Sequence, residues 1–334
     1  MELYLGIDVG SVSTNLVAID KYENVVEKLY LRTGGQPINA LKDGMREMAL
    51  RLVGKDADIK GVGTTGSGRR LAGIIAGADT VKNEITAHAV AARKVVDGVR
   101  TIFEIGGQDS KIIILRNGVV FDFAMNTVCA AGTGSFLDRQ AARLEIPIEK
   151  FGEYALRSRS PVRIAGRCAV FAESDMIHKQ QAGHAMEDII CGLCEALVRN
   201  YLNNLAKGKD IEEPIVFQGG VAANAGIADA FERALGKKLI IPGYYDVMGA
   251  YGAALIAKEQ MDGCAGATRF RGFGIAEGEY GVRSAECNDC GNMCEVVSVL
   301  SDGATMACWG DRCGKWSGKI NWPDCKWQIM PNRS

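Results

Sequence analysis

The amino-acid sequence predicts an α/β protein with two similar lobes and a cleft between them, followed by a small cysteine-rich module. The lobes are predicted by a repeated pattern of hydrophobic strands, glycine turn and helix, which occurs near Asp8 and again near Glu104. The module is predicted by cysteine usage, because residues 1–263 contain four cysteines and residues 264–334 contain seven. We therefore expect a two-lobed domain at 1–262, a glycine-rich linker at 263–285 and a metal-binding module at 286–334.

Hydrophobic periodicity and turn residues give the order of the elements. The predicted strands are LYLGID, LVAID, VVEKLYL, residues 60–64, TIFEI, KIIIL, VVFDFAM and PIVFQ. The predicted helices lie at about 38–53, 84–95 and 186–205, after Gly134 and Cys168, from about 222, and at about 247–259. Each of the two lobes thus begins with strands and continues with a mixture of helices and strands.

The composition of the chain indicates which classes of protein and partner to expect. The 334 residues carry a net charge of −1 and are 47% hydrophobic, which allows an ordinary core and gives no sign of binding nucleic acid or an anionic membrane. The chain has no run of ~18 apolar residues, and its start, MELYLGIDVG, enters a strand without the pattern of a signal peptide. We expect a cytoplasmic protein, in which clustered cysteines indicate metal or redox chemistry.

Glycine turns follow strand-ending carboxylates at two places. IDVGSVST contains Asp8 and Gly10, and EIGGQDSK contains Glu104 and Gly106–Gly107. Glycine lets backbone N–H groups approach phosphate oxygens, and the carboxylates can organise Mg²⁺ and water. Either turn alone is explained equally well as a capped β-turn, but two in this order predict a site for nucleotide phosphates.

A third glycine pair lies in FQGGVAANAG, where a buried strand meets a helix, a usual place to hold an adenosine. TTGSGR and YDVMGAYGAA place small residues where two lobes would hinge. The candidate nucleotide-binding residues are Gly10, Ser11, Ser13, Thr14, Gly106, Gly107, Gly219, Gly220, Asn224 and Gly249. The candidate catalytic residues are Asp8, Glu104, Gln108 and Asp109.

The ordered motifs IDVGS, TTGSGR, EIGGQD, CAAGTGSF, CAVFAES, GGVAAN and GAYGAA resemble those of the activators of 2-hydroxyacyl-CoA dehydratases and benzoyl-CoA reductases. They match the reductases of double-cubane cluster proteins equally well. The resemblance covers about residues 1–260. It implies a duplicated fold of the acetate kinase/Hsp70/actin/hexokinase-like superfamily, with ATP hydrolysis coupled to low-potential electron transfer. It also implies a homodimer with one [4Fe-4S] cluster between subunits, an electron-accepting iron–sulfur enzyme as partner, and reduced ferredoxin or flavodoxin as donor.

Two residues depart from the pattern of this family. Glu104 stands where Asp is usual, which shifts the carboxylate by one methylene. Asn15 stands where Lys is common, which removes one positive phosphate contact. Neither change removes the backbone cradle for the phosphates.

Cys129 and Cys168 each precede a predicted helix, whose N–H groups favour a thiolate. Buried core thiols are the alternative on spacing alone. A cubane cluster needs four thiolates, so two from each chain predict a cluster on a two-fold axis. We expect Cys191 and Cys194 to be core thiols and His178 and His184 to be surface residues, while His88 lies near the cleft or within the core.

The C-terminal module contains Cys287, Cys290 and Cys294, followed by Cys308 and Cys313. This spacing is a strong metal signature, either Zn²⁺ or a second [4Fe-4S] cluster. VVSVL and ATMACW, separated by the SDG turn, predict a hairpin that returns Cys313 to the triplet, with Cys308 as the rival fourth ligand. Two other functions stay open at this point: a small-molecule kinase of the same superfamily, and a metal-stabilised ATPase scaffold.

Overall fold

The computed structural model describes residues 1–126, 128–263 and 266–317. The chain divides between Phe273 and Gly274 into two compact units. Within the described part of the chain, no helix is both long enough and apolar enough to cross a membrane. The first unit contains both lobes, and the second contains the cysteine-rich segment.

The first lobe is built on a mixed five-stranded sheet. Its elements are β1 (Glu2–Val9), β2 (Ser13–Asp20), β3 (Val25–Arg32), α1 (Pro37–Leu52), β4 (Asp58–Thr65), α2 (Arg69–Ala76), β5 (Thr80–Val81) and α3 (Glu84–Val95). The strand order is β3-β2-β1-β4-β5, antiparallel among the first three and parallel thereafter. The central strand β1 is buried from Leu3 to Ile7, as its continuous apolar run requires when both faces of a sheet are covered.

The second lobe repeats this plan. Its elements are β6 (Thr101–Ile105), β7 (Ser110–Arg116), β8 (Val119–Asn126), α4 (Gly134–Arg143), α5 (Ile148–Leu156), α6 (Ala169–Gln181), α7 (Met186–Tyr201), β9 (Ile215–Gln218), α8 (Ala225–Leu235) and β10 (Leu239–Ile240). The last helix, α9 (Met248–Asp262), returns to the first lobe and packs on β1 and β4. The strand order β10-β9-β6-β7-β8 has the same parallel and antiparallel pairs as the first sheet. The predicted duplication is therefore confirmed.

Element boundaries follow the prediction with local differences. Helix α3 has the predicted limits, whereas α8 begins at Ala225 because residues 220–223 form a 3₁₀ turn and Asn224 caps the helix. The long helix α7 ends at Tyr201 and continues as a π-helical turn, Leu202–Ala206. Such turns widen a helix locally and are frequent near functional sites.

Apolar clusters pack within the second lobe and between the two lobes. In the second lobe, Phe103, Tyr201, Phe217 and Phe231 form a group of rings whose centroids lie 5.1–5.5 Å apart. The other cluster joins the lobes, because it contains residues of α3 and α9 together with Tyr4 of the first sheet and Ile113 of the second. Cys191 and Cys194 are buried in the first cluster, and His178 and His184 are exposed, as the sequence predicts.

The second unit contains an antiparallel meander of β11 (Tyr280–Glu286), β12 (Glu295–Ser301) and β13 (Ala304–Trp309). The hairpin predicted around the SDG turn is confirmed: Asp302 and Gly303 both have positive φ, as a tight hairpin turn requires. Strand β11 forms the C-terminal end of the segment that the sequence predicts to be a linker. Residues 264–265 of that segment and 318–334 of the expected module, including Cys325, lie outside the described residues.

Candidate functional site

A cavity of about 260 Å³ lies where the strands of both lobes end. Its walls are the β1–β2 and β6–β7 turns, the loops after β4 and β9, and the start of α9. The predicted site residues that line it are Asp8, Gly10, Ser11, Ser13, Glu104, Gly106, Gly107, Gln108, Asp109, Gly219, Gly220 and Gly249. The structure thus brings the three predicted glycine loops together.

Two predicted binding residues do not line the cavity. Thr14 is fully buried, and its hydroxyl lies 3.0 Å from that of Thr33. Strand pleating explains this placement, because Ser13 and Asn15 face the cavity and the residue between them must face the other way. The Asn224 side chain instead accepts hydrogen bonds from the backbone N–H groups of Gly226 and Ile227 at the start of α8.

The loops after β4 and β9 place one glycine each against a carboxylate-bearing strand. Gly66 has φ +90°, and a Cβ there would lie 2.4 Å from the Val9 carbonyl oxygen. Gly219 has φ +89°, and its Cβ would lie 2.4 Å from the carbonyl oxygen of Ile105. Only glycine combines this backbone conformation with so close an approach. Both turns are therefore built in the same way around Asp8 and Glu104.

Lys111 is the centre of charge in the second lobe. Its ammonium group lies 2.8 Å from Glu84, 2.9 Å from Glu104 and 2.7 Å from Asp109, and its side chain is 2% exposed. Burial alone would lower the pKa of Lys111, but these carboxylates raise it, so the residue stays charged. Sequence reasoning did not select Lys111 or Glu84, although Lys111 pairs with Glu104 in the same register in which Asn15 pairs with Asp8.

Five carboxyl groups and one lysine line this cavity. Burial raises the pKa of Asp8 to about 7, and the nearby negative charge of Glu84 adds to the effect. Burial likewise raises the pKa of Glu104, to about 8, against the attraction of Lys111. An excess of carboxylate oxygens over cations is the donor set that Mg²⁺ prefers.

Two further side chains complete the cavity. His88 lies within the core and also lines the cavity, with Nδ1 2.9 Å from Gln218 Nε2; burial lowers the pKa of its imidazole to about 3, which leaves the ring neutral. Asn15 is 5% exposed, and its Oδ1 has no hydrogen-bond partner among the described residues. An unsatisfied buried acceptor that lines a cavity is an expected contact for a ligand or an ion shell.

The structure places Cys129 and Cys168 on neighbouring loops. Cys129 precedes a 3₁₀ turn that leads to α4, and Cys168 is the N-cap residue of α6. The Cys129 sulfur lies 3.7 Å from the carbonyl oxygen of Arg167, the residue before Cys168. Both thiols are half-buried, and exposed apolar residues adjoin them, namely Val128, Val170 and Phe171.

The structure describes five of the C-terminal cysteines, namely Cys287, Cys290, Cys294, Cys308 and Cys313. Within residues 1–126, 128–263 and 266–317, no three His, Cys, Asp or Glu side chains are close enough together to hold a metal ion. Cys308 points to Ser298, with Sγ 3.1 Å from Oγ. Lys315 pairs with Asp289, which together with Cys287 and Cys313 raises the pKa of its ammonium. Trp316 Nε1 donates a hydrogen bond to Cys287 Sγ at 3.4 Å, so the segment after Cys313 contacts Cys287, whereas Cys308 belongs to the hairpin.

The chain is similar to known proteins over most of its length. The family model described as the BadF/BadG/BcrA/BcrD ATPase family matches residues 5–257. The 2-hydroxyisocaproyl-CoA dehydratase activator of Clostridioides difficile is 33% identical over 261 residues, which cover 77% of this chain and 95% of the activator. The (R)-2-hydroxyglutaryl-CoA dehydratase activating ATPase of Acidaminococcus fermentans is 35% identical over 262 residues, covering 77% and 98% of the two chains.

A solved structure of one of these relatives has the same fold. The activator of the 2-hydroxyisocaproyl-CoA dehydratase from Clostridium difficile, with bound ADPNP, superimposes with a TM-score of 0.70 and 32% identity. The match covers 78% of this chain and 96% of that one. The two-lobed architecture described above is therefore shared along nearly the whole length of that activator.

Proposed function

Because the chain belongs to the BadF/BadG/BcrA/BcrD ATPase family and has its actin/hexokinase-like fold, we propose that it hydrolyses ATP to drive electrons onto a partner enzyme. The electrons would pass through a [4Fe-4S] cluster shared between two copies of the chain. The observation that carries this proposal is the backbone connection between the cavity and the Cys129 loop. The Gly106 carbonyl accepts a hydrogen bond from Gly134 N–H at 2.8 Å, and the Gly107 carbonyl accepts one from Ser135 N–H at 2.9 Å.

The cavity suits MgATP for three reasons. Its glycine turns line the cavity without side chains, so phosphate oxygens can approach the backbone closely. Its carboxylates outnumber its one lysine, which suits a divalent cation. Its Asn15 oxygen is buried and unpartnered. Asp8, Glu104, Gln108 and Asp109 would hold the cation and orient the attacking water, with Lys111 fixing the last carboxylates in place.

The connection to α4 gives ATP binding a route to the cysteines. The Gly106–Gly107 turn is bonded to the first turn of α4, and Cys129 precedes that turn by five residues. A shift of the glycine turn between ATP and ADP states would therefore move the Cys129 loop. Coupling of this kind needs only that the two nucleotides bind two conformations with different affinities.

Each chain offers two thiolates of the four that a cubane needs. Val128, Val170 and Phe171 are 94%, 69% and 65% exposed, and all three adjoin the cysteines. A second copy of the chain would cover this apolar rim and complete the ligand set. When bound, the cluster supplies a one-electron carrier, and this chain's residues hold it and govern its surroundings.

The partner follows from the relatives, two of which are named as an activator and an activating ATPase of 2-hydroxyacyl-CoA dehydratases. We propose an iron–sulfur enzyme of that kind, a benzoyl-CoA reductase or a double-cubane protein as acceptor, with reduced ferredoxin or flavodoxin as donor. The small-molecule kinase of the same fold remains the competing function. It has no use for Cys129 and Cys168, and its ATP consumption would depend on an added acceptor.

ATP hydrolysis is tested with Gly107→Val. A Cβ at residue 107 would lie 2.6 Å from the Cβ of Val12 in the opposite loop, so the two turns could not close on the phosphates. Hydrolysis should fall at least ~100-fold. Gly243→Val is the control, because a Cβ there meets nothing within 4 Å. Unchanged turnover in Gly107→Val would contradict the assignment.

The shared cluster is tested with Cys129→Ala and Cys168→Ala. Each substitution should remove the shared cluster from both subunits, which is a loss of about four irons per dimer with the matching visible absorption, because half a ligand set holds no cubane. Cys191→Ala, which removes a buried thiol elsewhere, should keep both. A colourless, iron-free wild-type protein after anaerobic reconstitution would favour the kinase.

For the C-terminal segment we propose a separate site of four thiolates, Cys287, Cys290, Cys294 and Cys313, holding Zn²⁺ or a second cluster. Within the described residues, the buried apolar side chains of this unit are few and mostly small, namely Ile275, Ala276, Val296, Val299 and Ala307. This supports the proposal, because so small a core gives little stability without a metal. Metal content per chain decides it. Cys290→Ser combined with Cys313→Ser should lose this metal and keep ATP hydrolysis, and an unchanged metal content would refute the site.

A chain shortened to the first unit should end at Phe273 rather than at Asp262. The buried Asp79 carboxylate accepts hydrogen bonds from Thr268 Oγ1 at 2.6 Å and from Arg269 N–H at 2.8 Å. Removing these donors would leave a buried charge less satisfied, at a cost of about 1–3 kcal/mol. The chain ending at Phe273 should hydrolyse ATP at the wild-type rate.

A further inference from the structure

We propose that Asn200 is a positioning residue for the cysteine pair: its amide holds the loops of Cys129 and Cys168 together and donates a hydrogen bond to the Cys129 sulfur. The inference rests on the proposed function, since that sulfur is taken to bind the shared cluster. Asn200 lies on the last turn of α7 and is 3% exposed. It follows Cys129 by 71 residues, so no local sequence pattern indicates it.

Every polar atom of the Asn200 amide is used. Nδ2 donates to the Gly166 carbonyl oxygen at 2.6 Å and to the Cys129 sulfur at 3.5 Å. Oδ1 accepts a hydrogen bond from Asn204 Nδ2 at 3.1 Å. Because a carbonyl oxygen can only accept, the contact with Gly166 fixes which end of the amide is the nitrogen. The N–H group therefore faces the sulfur.

The residues next to Asn200 make further hydrogen bonds that hold α7 against the surrounding backbone. Arg199 donates to the Ile164 carbonyl oxygen at 2.7 Å, so two successive residues of α7 bind the loop before Cys168. On the other loop, a Cβ at Gly132 would lie 2.7 Å from Asn200 Oδ1, which leaves room only for glycine. Tyr201 donates to the Lys111 carbonyl oxygen at 2.7 Å, which links the same turn of α7 to the strand of the nucleotide site.

An N–H···S hydrogen bond stabilises the more negative, reduced state of an iron–sulfur cluster and so raises its reduction potential. In a symmetric dimer the bond occurs twice, once in each subunit. Asn200 would therefore set the potential from two sides while keeping the spacing of the two thiols. A movement of α7 would also change the hydrogen bond to sulfur, because Asn200 lies on that helix. Tyr201 joins the same helix to Lys111 of the nucleotide site.

The test compares Asn200→Ala and Asn200→Asp with wild type. In both variants the backbone amides of residues 128–135 and 164–168 should exchange hydrogen roughly fivefold faster in the metal-free protein, because one or two net hydrogen bonds are lost. In the reconstituted dimer both should shift the reduction potential to more negative values at unchanged iron content. The larger shift is expected for Asp, whose carboxylate repels the sulfur.

Two further variants make the test specific. Asn203→Ala, at an exposed position one turn along, should leave exchange and potential at wild-type values. Gly132→Ala pushes the amide away from the other side and should reproduce the effects of Asn200→Ala without altering Asn200 itself.

Wild-type exchange and potential in Asn200→Ala and Gly132→Ala would overturn the proposal. Faster exchange with an unchanged potential would overturn the hydrogen bond to sulfur and reduce Asn200 to a structural residue. If wild-type protein assembled no cluster, the proposed function would fail, and the exchange rates would still support or overturn the tie between the two loops.

Discussion

The two hairpins that face the cavity share a backbone and differ in charge at one matched position. Asp8 pairs with Asn15 in the first lobe, and Glu104 pairs with Lys111 in the second. Lys111 gathers three carboxylates around itself, whereas Asn15 makes only long contacts of 3.4 and 3.5 Å through Nδ2. Both hairpins thus provide a glycine turn for phosphates, but only the second of the two also carries a lysine that is held by carboxylates.

This difference has a consequence for Asp8. The second lobe neutralises part of its own negative charge, while the described residues provide no ion pair for Asp8. The positive partner of the Asp8 carboxylate must therefore come from a bound ligand. We expect the second hairpin to be a rigid support and the first to respond more strongly to Mg²⁺ and nucleotide.

The largest effect should come from the matched position itself. Lys111→Met leaves the buried Glu104 and the half-buried Glu84 and Asp109 without their cation and should lower the free energy of unfolding by about 3–5 kcal/mol. Asn15→Leu loses only weak contacts and should cost less than about 1 kcal/mol. Urea unfolding at neutral pH in EDTA measures both. Equal losses would mean that the two hairpins do not differ as described.

The second prediction tests the shared backbone. Gly66→Ala and Gly219→Ala should destabilise the protein equally, by about 1–3 kcal/mol each, because both place a Cβ 2.4 Å from a carbonyl oxygen at a φ near +90°. Gly98→Ala is the control: Gly98 has φ +66° but open space around it, so it should cost less. A large difference between Gly66 and Gly219 would break the equivalence of the turns.

The third prediction is a pH dependence at Asp8. Its pKa is about 7 in the folded protein and 3.8 as the ordinary value, so the native state keeps a proton that the unfolded chain has lost. Stability should therefore fall as pH rises from 4 towards 7, by up to about 1.4 kcal/mol per pH unit. In metal-free, nucleotide-free protein, Asp8→Asn should lose this part of the slope.

A matched variant sharpens the same measurement. Asn15→Lys would give the first hairpin the cation that the second already has, and should lower the pKa of Asp8. Its unfolding free energy should then depend on pH less steeply than that of wild type over the same range. An unchanged slope in both Asp8→Asn and Asn15→Lys would show that Asp8 does not titrate in this range.

Much of the fold was determined by local sequence. The limits of α3, the duplicated strand–turn–strand pattern and the β12–β13 hairpin depend on hydrophobic period and turn residues, which act over a few positions. The glycine loops were predictable for the same reason, because a turn with positive φ at a strand end has few alternatives to glycine. Their order along the chain was enough to predict that they meet.

Tertiary structure alone decided the side chains that complete the site. Glu84 reaches Lys111 from a helix 27 positions away, and Asn200 reaches Cys129 across 71 positions. Pleating turned Thr14 from the cavity, and the start of α8 took Asn224 as its cap. Such contacts depend on the packing of α3 and α7 against the sheets. Burial, which shifts the pKa of Asp8 and Glu104, is likewise a property of the packed chain and has no local pattern.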